Sequence, residues 1–304
     1  MSKVSKDKVA TGFSGPIFAI TVVLSLTVIY SAFYFVAPKS VWDAQVSRSL
    51  AWFGAKFFVT IVIGWVGNSL LEKIFHRYIL HKEVIPFLGS LYEAHHKIHH
   101  PLTRISVTKM NDGSGRGILV LVNDYPITRE EQKEASIFPW YSLLVFAGVL
   151  TPILCLLEWL LPFFPWFFAG YGSLAISLTL YEVFHYIYHL PLSWWLPKIN
   201  HPRWGKFWTR RYGHHLGHHA IDGCNEGISG DALFDWMTRT RVILKTLFVT
   251  GDVYDPAQFK KPIPIWPVRW LDGVTDEIQR KRRARRTVKF LEDEEKKRAR
   301  ELVQ

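Results

Sequence analysis

Residues 139–184 read PWYSLLVFAGVLTPILCLLEWLLPFFPWFFAGYGSLAISLTLYEVF, and this stretch decides the fold. It contains no lysine or arginine. Two apolar runs lie within it, Pro139–Leu161 and Phe163–Phe184. Each is long enough to cross the roughly 30 Å hydrocarbon core of a bilayer as a helix. The break between them, Leu161-Pro162-Phe163-Phe164-Pro165, carries no charge. A segment that reverses direction without a charge turns at or just inside an interface, so the two runs form a tight transmembrane hairpin. Toward the N-terminus, Leu50–Leu71 is a further run, with Lys56 near its start and able to snorkel to the interface. Ser14–Val36 is another; it is too long for the apolar region of a signal peptide and lacks a small-residue cleavage site, so it reads as a retained span.

Four spans return the chain to the side on which it starts. The basic residues agree: nine fall between Lys73 and Lys133 and twenty-two follow His185. The positive-inside rule then puts both termini and every histidine on the cytoplasmic face. The expected organisation is a cytosolic N-terminal segment (1–13), transmembrane helices one and two (14–71), a cytosolic cap segment (72–138), the transmembrane hairpin (139–184), a second cap segment (185–275) and a basic, charged helical tail (276–304). The expected fold class is all-α: four transmembrane helices and a cytosolic helical cap holding a histidine-rich dimetal site.

Net charge is +11 over 304 residues, with a pI near 9.6. In a soluble chain that would prompt a nucleic-acid reading; beside such apolar runs it points to an anionic membrane surface instead. No nucleic-acid partner is expected. The tail, with Arg280-Lys281-Arg282-Arg283, suits a solvated helix lying over lipid headgroups. The two cysteines, Cys155 and Cys224, form no CxxC pair and supply neither a disulfide framework nor a zinc ribbon. No retention motif ends the chain at Glu301-Leu302-Val303-Gln304, which favours a bacterial inner membrane over the endoplasmic reticulum.

Thirteen histidines are present, none before His76, and most come in groups: His76 and His81, His95-His96-x2-His99-His100, His185 and His189, and His214-His215-x2-His218-His219. Residues three and four apart share a face of an α-helix. That spacing puts His96, His99 and His100 on one side of one helix and His215, His218 and His219 on one side of another. His185 and His189 stack one turn apart at the end of the last span, just before Leu190-Pro191 stops the helix. His76 and His81 are separated by about 140° of rotation, so either a π-bulge intervenes or the helix stops before His81. Imidazole suits zinc, iron, copper or nickel. One metal takes roughly four to six ligands, so ten such histidines supply two. A lone histidine at a membrane boundary is usually an interfacial polar residue, and storage tracts are low-complexity and loosely spaced; this constellation is neither.

Glu72, Glu93 and Glu182 precede His76, His96 and His185 by about one turn each. They are placed either to fix a ring tautomer by accepting its free N–H or to make ordinary interfacial salt bridges. His95 and His214 precede the triplets and point about 100° away, which makes them supporting or structural, as is the isolated His201. Asn225, Glu226, Asp231 and Asp235 follow the last box and are candidates for supporting or substrate contacts.

The stretches Phe75-His76-Arg77-Tyr78-Ile79-Leu80-His81, His96-Lys97-Ile98-His99-His100 and Tyr212-Gly213-His214-His215-Leu216-Gly217-His218-His219 resemble the boxes of the fatty acid hydroxylase/sterol desaturase superfamily of membrane-bound di-iron oxygenases. The similarity runs from the second span to about Trp236. It implies a bimetal centre under a cytosolic cap, with two iron ions (or zinc in preparations), O2 as co-substrate, and His76, His81, His96, His99, His100, His185, His189, His215, His218 and His219 as ligands and catalytic centre. Two features depart from the pattern. About 85 residues separate the second and third boxes, a distance that the last two spans and the segment before them accommodate. No haem-binding domain is fused, so electrons are expected from a separate carrier, either a cytochrome b-type protein or a ferredoxin with its reductase. The expected substrate is a membrane lipid, because a site at the membrane surface can draw an acyl chain or sterol sideways from the bilayer, with Trp194, Trp195, Trp204, Trp208 and Trp236 as interface anchors. The family's balance implies hydroxylation, one hydrogen replaced by oxygen, as the expected outcome, with desaturation, two hydrogens removed, as the alternative. A membrane zinc-binding or transport protein is the competing class, but transport calls for ionisable residues in mid-span, and these spans hold only Lys56, Glu158 and Glu182, each near a boundary.

Overall fold

The computed structural model describes residues 14–36, 39, 43, 50–111, 113, 117–134, 138–229, 232–246 and 248–301. The expected segment 1–13 and Asp231 lie outside them. The helices of two turns or more are α1 (Gly15–Val36), α2 (Leu50–Phe75), α3 (Ser142–Leu160), α4 (Trp166–Tyr188), α5 (Leu192–Ile199), α6 (Gly205–Ala220) and α7 (Trp266–Glu301). Four stretches are long and apolar enough to cross a membrane: Gly15–Val36, Phe53–Leu80, Ser142–Leu160 and Trp166–Tyr188.

These four pack as an up-and-down bundle. Tyr30, late in α1, donates to the Phe168 carbonyl at the start of α4 (2.7 Å), and Lys56, early in α2, lies 5.9 Å from the Phe163 ring in the α3–α4 turn. Those ends therefore meet on one side. The α2–α4 seam is narrow: a Cβ on Gly64 would fall 2.4 Å from the Ser173 hydroxyl. Close approach of small residues is how helices associate where water supplies no driving force. Asn68 adds interhelical hydrogen bonds to Ser173 (3.2 Å) and Ser177 (3.3 Å).

At the opposite end of the bundle the ends of α2 and α4 enter a polar layer built from α5, α6, α7 and their connections. α2 outruns its apolar stretch and widens, at His76–Leu80, into a π-helical turn with His81 N–H bonded to the His76 carbonyl. Glu93–His99 is also π-helical. One hairpin corrects the all-α expectation: β1 (Ile105–Asn111) pairs antiparallel with β2 (Gly117–Asn123), Ile105 facing Asn123. In sequence its β-branched residues alternate on either side of Gly113, a hairpin pattern, and Val120 and Leu121 within it are buried.

α7 is strapped to this layer through ions. Arg77 donates to Asp272 from Nε (2.8 Å) and Nη2 (2.6 Å), and Lys82 lies 2.7 Å from Asp276. Arg286 forms a two-pronged pair with the buried Glu83. Beyond this the helix is exposed and charged.

Candidate metal centre

The histidines from all four boxes meet at the top of the bundle. His76, His81, His95, His100 and His218 place one nitrogen each within a sphere small enough for a single ion, all within 4.8 Å of one another. His99, His185, His189 and His219 do the same beside them. The groups touch: the rings of His100 and His219 stack at 4.3 Å, and those of His218 and His219 lie 5.3 Å apart.

Short contacts run between ring nitrogens. Nε2 of His76 and of His100 lie 2.9 and 3.1 Å from Nε2 of His95. His81 Nε2 is 3.3 Å from His218 Nε2, and His185 Nε2 is 3.2 Å from His99 Nε2. Two nitrogens bound to one ion at about 2.1 Å sit about 3.0 Å apart across a right angle and about 3.4 Å apart across a tetrahedral one. The observed spacings match that range.

The backbone sets which nitrogen faces inward. His76, His189 and His218 each donate Nδ1–H to a carbonyl, those of Glu226 (2.8 Å), Tyr125 (2.8 Å) and Cys224 (2.9 Å). A carbonyl can only accept, so these rings carry the proton on Nδ1 and present the Nε2 lone pair to the pocket. His219 Nδ1 pairs with Thr103 Oγ1 (3.1 Å), and its buried Nε2 has no hydrogen-bond partner. A cation supplies the partner such nitrogens lack. The donor set therefore fits two metal ions.

Burial reinforces this. Loss of solvation, then mutual repulsion among the rings, holds His81, His95, His99, His100, His189, His215 and His219 well below the ordinary imidazole range. Burial takes His218 down to about 4. All are neutral at pH 7, the form that binds metal.

The second box departs from the expected register. In a π-helix the i→i+5 bonding brings residues four and five apart onto one face. His95, expected to point away, joins His99 and His100 in the pocket. His96 is displaced to the edge: half-buried, it stacks on Tyr92 at 5.2 Å, and its Nδ1 lies 3.3 Å from His81 Nδ1. His76 and His81 meet for the same reason, through the π-turn allowed for between them. His215 falls just outside the second group, with Nε2 3.2 Å from His189 Nε2. His214 turns to the back of α6 and donates to the Gly227 carbonyl (3.0 Å), and His201 caps the start of α6, accepting from Arg203 and Trp204 N–H.

α6 presents histidines on one face because its other face is cut away. A Cβ at Gly213 would fall 2.0 Å from the Leu244 carbonyl oxygen, and one at Gly217 2.8 Å from Asn225 Nδ2. These two glycines let residues 225–244 lie directly against the helix. Asn225, in the left-handed region at φ 55, staples the join: Nδ2 donates to the carbonyls of His214 (2.6 Å) and Val242 (2.5 Å).

The carboxylates serve the protein frame rather than the rings expected for them. Glu72 accepts from Ile228 N–H (2.5 Å) and from Ser229, Glu182 from Phe138 N–H (3.1 Å), and Glu93 pairs on the surface with Lys97 (3.2 Å). Asp235 accepts from Lys73 (2.5 Å), Thr240 Oγ1 (2.9 Å) and the N–H groups of Glu226 (3.2 Å) and Gly227 (2.9 Å). Against the burial that would raise it, Lys73 holds the Asp235 carboxyl well below the carboxylate range. Glu226 joins Lys73 (2.8 Å) to Arg77 with its carboxylate, while its carbonyl steadies His76. Thr103 and the Tyr125 and Cys224 carbonyls had no signature in the sequence.

Directly below His76 lies a cavity of about 260 Å³ between α2, α3 and α4. Its lining includes Leu71, Ile74, Phe75, Leu150, Leu178 and Tyr181, with His76 at one end. Ile74 and Val149 line it while 43% and 67% exposed on the bundle's flank, so the chamber opens sideways. No protein-family model, curated protein or solved structure matches the chain.

Proposed function

We propose that this protein is an integral-membrane oxygenase that binds two iron ions in its paired histidine groups and hydroxylates a lipid C–H bond on the cytoplasmic side of the membrane. The observation that carries the reading is the contact between an apolar, side-opening chamber and a histidine of the first group. A chamber lined by leucine, isoleucine and phenylalanine admits a hydrocarbon chain and rejects a hydrated solute. Its flank opening lets that chain enter from the bilayer.

When bound there, a redox metal pair supplies the activation of O2 and the removal of hydrogen from an unreactive C–H bond. The chain's own residues hold and shield. Neutral imidazoles leave the site its full cationic charge, and three main-chain carbonyls lock rings with Nε2 inward. Tyr125, Trp195 and Leu216, none measurably exposed, pack on the side of the site away from the chamber and exclude water. Electrons come from an external carrier. Lys73, Arg77 and Lys82 gather at the histidine end of α2, which supports a cytoplasmic cap.

The test is oxygen uptake by iron-loaded, chemically reduced protein in bilayers, together with lipid mass spectrometry of expressing cells. A lipid gaining one oxygen, absent with His99→Ala and His218→Ala, is the expected result; loss of two hydrogens would make the enzyme a desaturase. Reduced, iron-loaded protein that takes up no oxygen and leaves lipids unchanged sinks the proposal.

A further inference from the structure

Against a different face of α2 from the chamber lies a second cavity, of about 290 Å³, lined by Trp65, Val66, Ser69, Leu233, Phe234, Trp236 and Arg241. Its polar character is one-sided. Arg241 is exposed and makes no ion pair among the described residues. The Trp65 indole N–H is buried and has no hydrogen-bond partner, although buried indoles ordinarily find one. Ser69 spends its hydroxyl proton on the Trp65 carbonyl (2.9 Å), which leaves its oxygen only able to accept. Among the described residues the lining thus offers a guanidinium without an ion pair and no carboxylate, while the Trp65 N–H lies behind the lining, out of a ligand's reach. What is missing is an anionic acceptor.

The rest of the lining is apolar and faces outward. Val66, Leu233 and Trp236 are 36%, 43% and 65% exposed. The bond from Ile265 N–H to the Thr238 carbonyl (3.1 Å) brings the start of α7, with the exposed Ile263, Trp266 and Trp270, beside the short helix that carries Trp236 and the exposed Met237. Exposed tryptophans of this kind mark the level of lipid headgroups, and an arginine at that level pairs with phosphate through its forked N–H groups. A ligand that satisfies both halves of the cavity carries a phosphate and a hydrocarbon chain together.

We propose that this cavity is a binding site for an anionic phospholipid, with its phosphate on Arg241 and an acyl chain along Val66 and Leu233. The site is separate from the histidine centre and stands whether or not the chain is an oxygenase. It gives the cap a fixed lipid ligand where the short helix Leu233–Met237 meets α2.

The test is thermal unfolding of the full-length, metal-loaded protein in neutral detergent, titrated with dioleoyl phosphatidylglycerol, dioleoyl phosphatidylcholine or inorganic phosphate. Phosphatidylglycerol is expected to raise the unfolding midpoint saturably, and the other two to leave it unchanged at the same concentration. Arg241→Gln is expected to weaken the phosphatidylglycerol effect by about tenfold or more. Arg269→Gln, at an exposed position, is expected to match the wild type. Metal content is expected to be the same in all three proteins. An undiminished phosphatidylglycerol effect in Arg241→Gln overturns the site, as does an equal effect of phosphatidylcholine. A shift reproduced by inorganic phosphate alone makes it a free-anion site and overturns the lipid assignment.

Discussion

Replacing His95 by alanine, with His96→Ala as its partner, probes the register of the second box. His95 contributes one of five nitrogens to the first group, 2.9 Å from His76 Nε2 and 3.1 Å from His100 Nε2. A four-ligand structural zinc site is worth about 10–16 kcal/mol, or about 3 kcal/mol per ligand. At 1.4 kcal/mol per decade that is a weakening of about a hundredfold or more. His96 stands outside, with its one nitrogen-to-nitrogen contact to the first group, among the described residues, at the Nδ1 of His81. Loss of an outer partner of that kind costs about tenfold. The assay is metal per chain by plasma mass spectrometry after dialysis against a buffered free-metal concentration chosen between those two affinities. The expected counts are two ions for wild type, one for His95→Ala and two for His96→Ala. Each variant also needs a thermal melt, because emptying a buried site costs about 2–3 kcal/mol by itself. If His96→Ala loses an ion while His95→Ala keeps both, the π-helical register is wrong and a regular α-helix holds the box.

Three other outcomes are expected. Gly213→Ala drives a methyl group against the Leu244 carbonyl, so it should destabilise the protein by about 3 kcal/mol; an unchanged melting temperature would mean that α6 and residues 225–244 do not lie in contact. Arg77→Met strips a partner from both Glu226 and Asp272, at a cost of about 3–5 kcal/mol, and should expose the start of α7 to protease; wild-type digestion kinetics would contradict the strap. Metal-free protein should lose stability as pH falls: its buried rings titrate below the ordinary 6.5, so from there down the unfolded chain binds more protons than the folded one, and stability present above pH 6.5 drains away. His218 alone, at about 4, accounts for about 3 kcal/mol of that loss, and apo melts flat between pH 7.5 and pH 5 would refute it.

The bundle was legible because twenty or so apolar residues in succession have few alternatives to a membrane span, and Leu161–Pro165 leaves no room for anything but a turn. The histidine groups were legible by type and crowding. Their register was not. Whether Glu93–His99 winds as an α- or a π-helix depends on five rings competing for one space, and no local preference of Glu-Ala-His-His-Lys-Ile-His encodes it. The spacing of His76 and His81 did carry the π-turn, because five residues is an impossible interval for a shared face of an α-helix. The hairpin at 105–123 had a pattern of alternating β-branched residues around Asp112-Gly113, overshadowed by its helical surroundings. The carboxylates misled, since proximity in sequence to a ring says nothing about the loop that arrives from residues 226–229 to claim Glu72.

Three of the inward-facing rings are held by main-chain oxygens at Tyr125, Cys224 and Glu226. An amide carbonyl is common to every residue, so exchanging those side chains leaves the grip itself in place. What the centre requires there is a path through space rather than a letter of the alphabet. Insertions or deletions near 125 and 222–227 should therefore be far more damaging than point changes, and a search for kindred centres does better to compare loop lengths than residue identities.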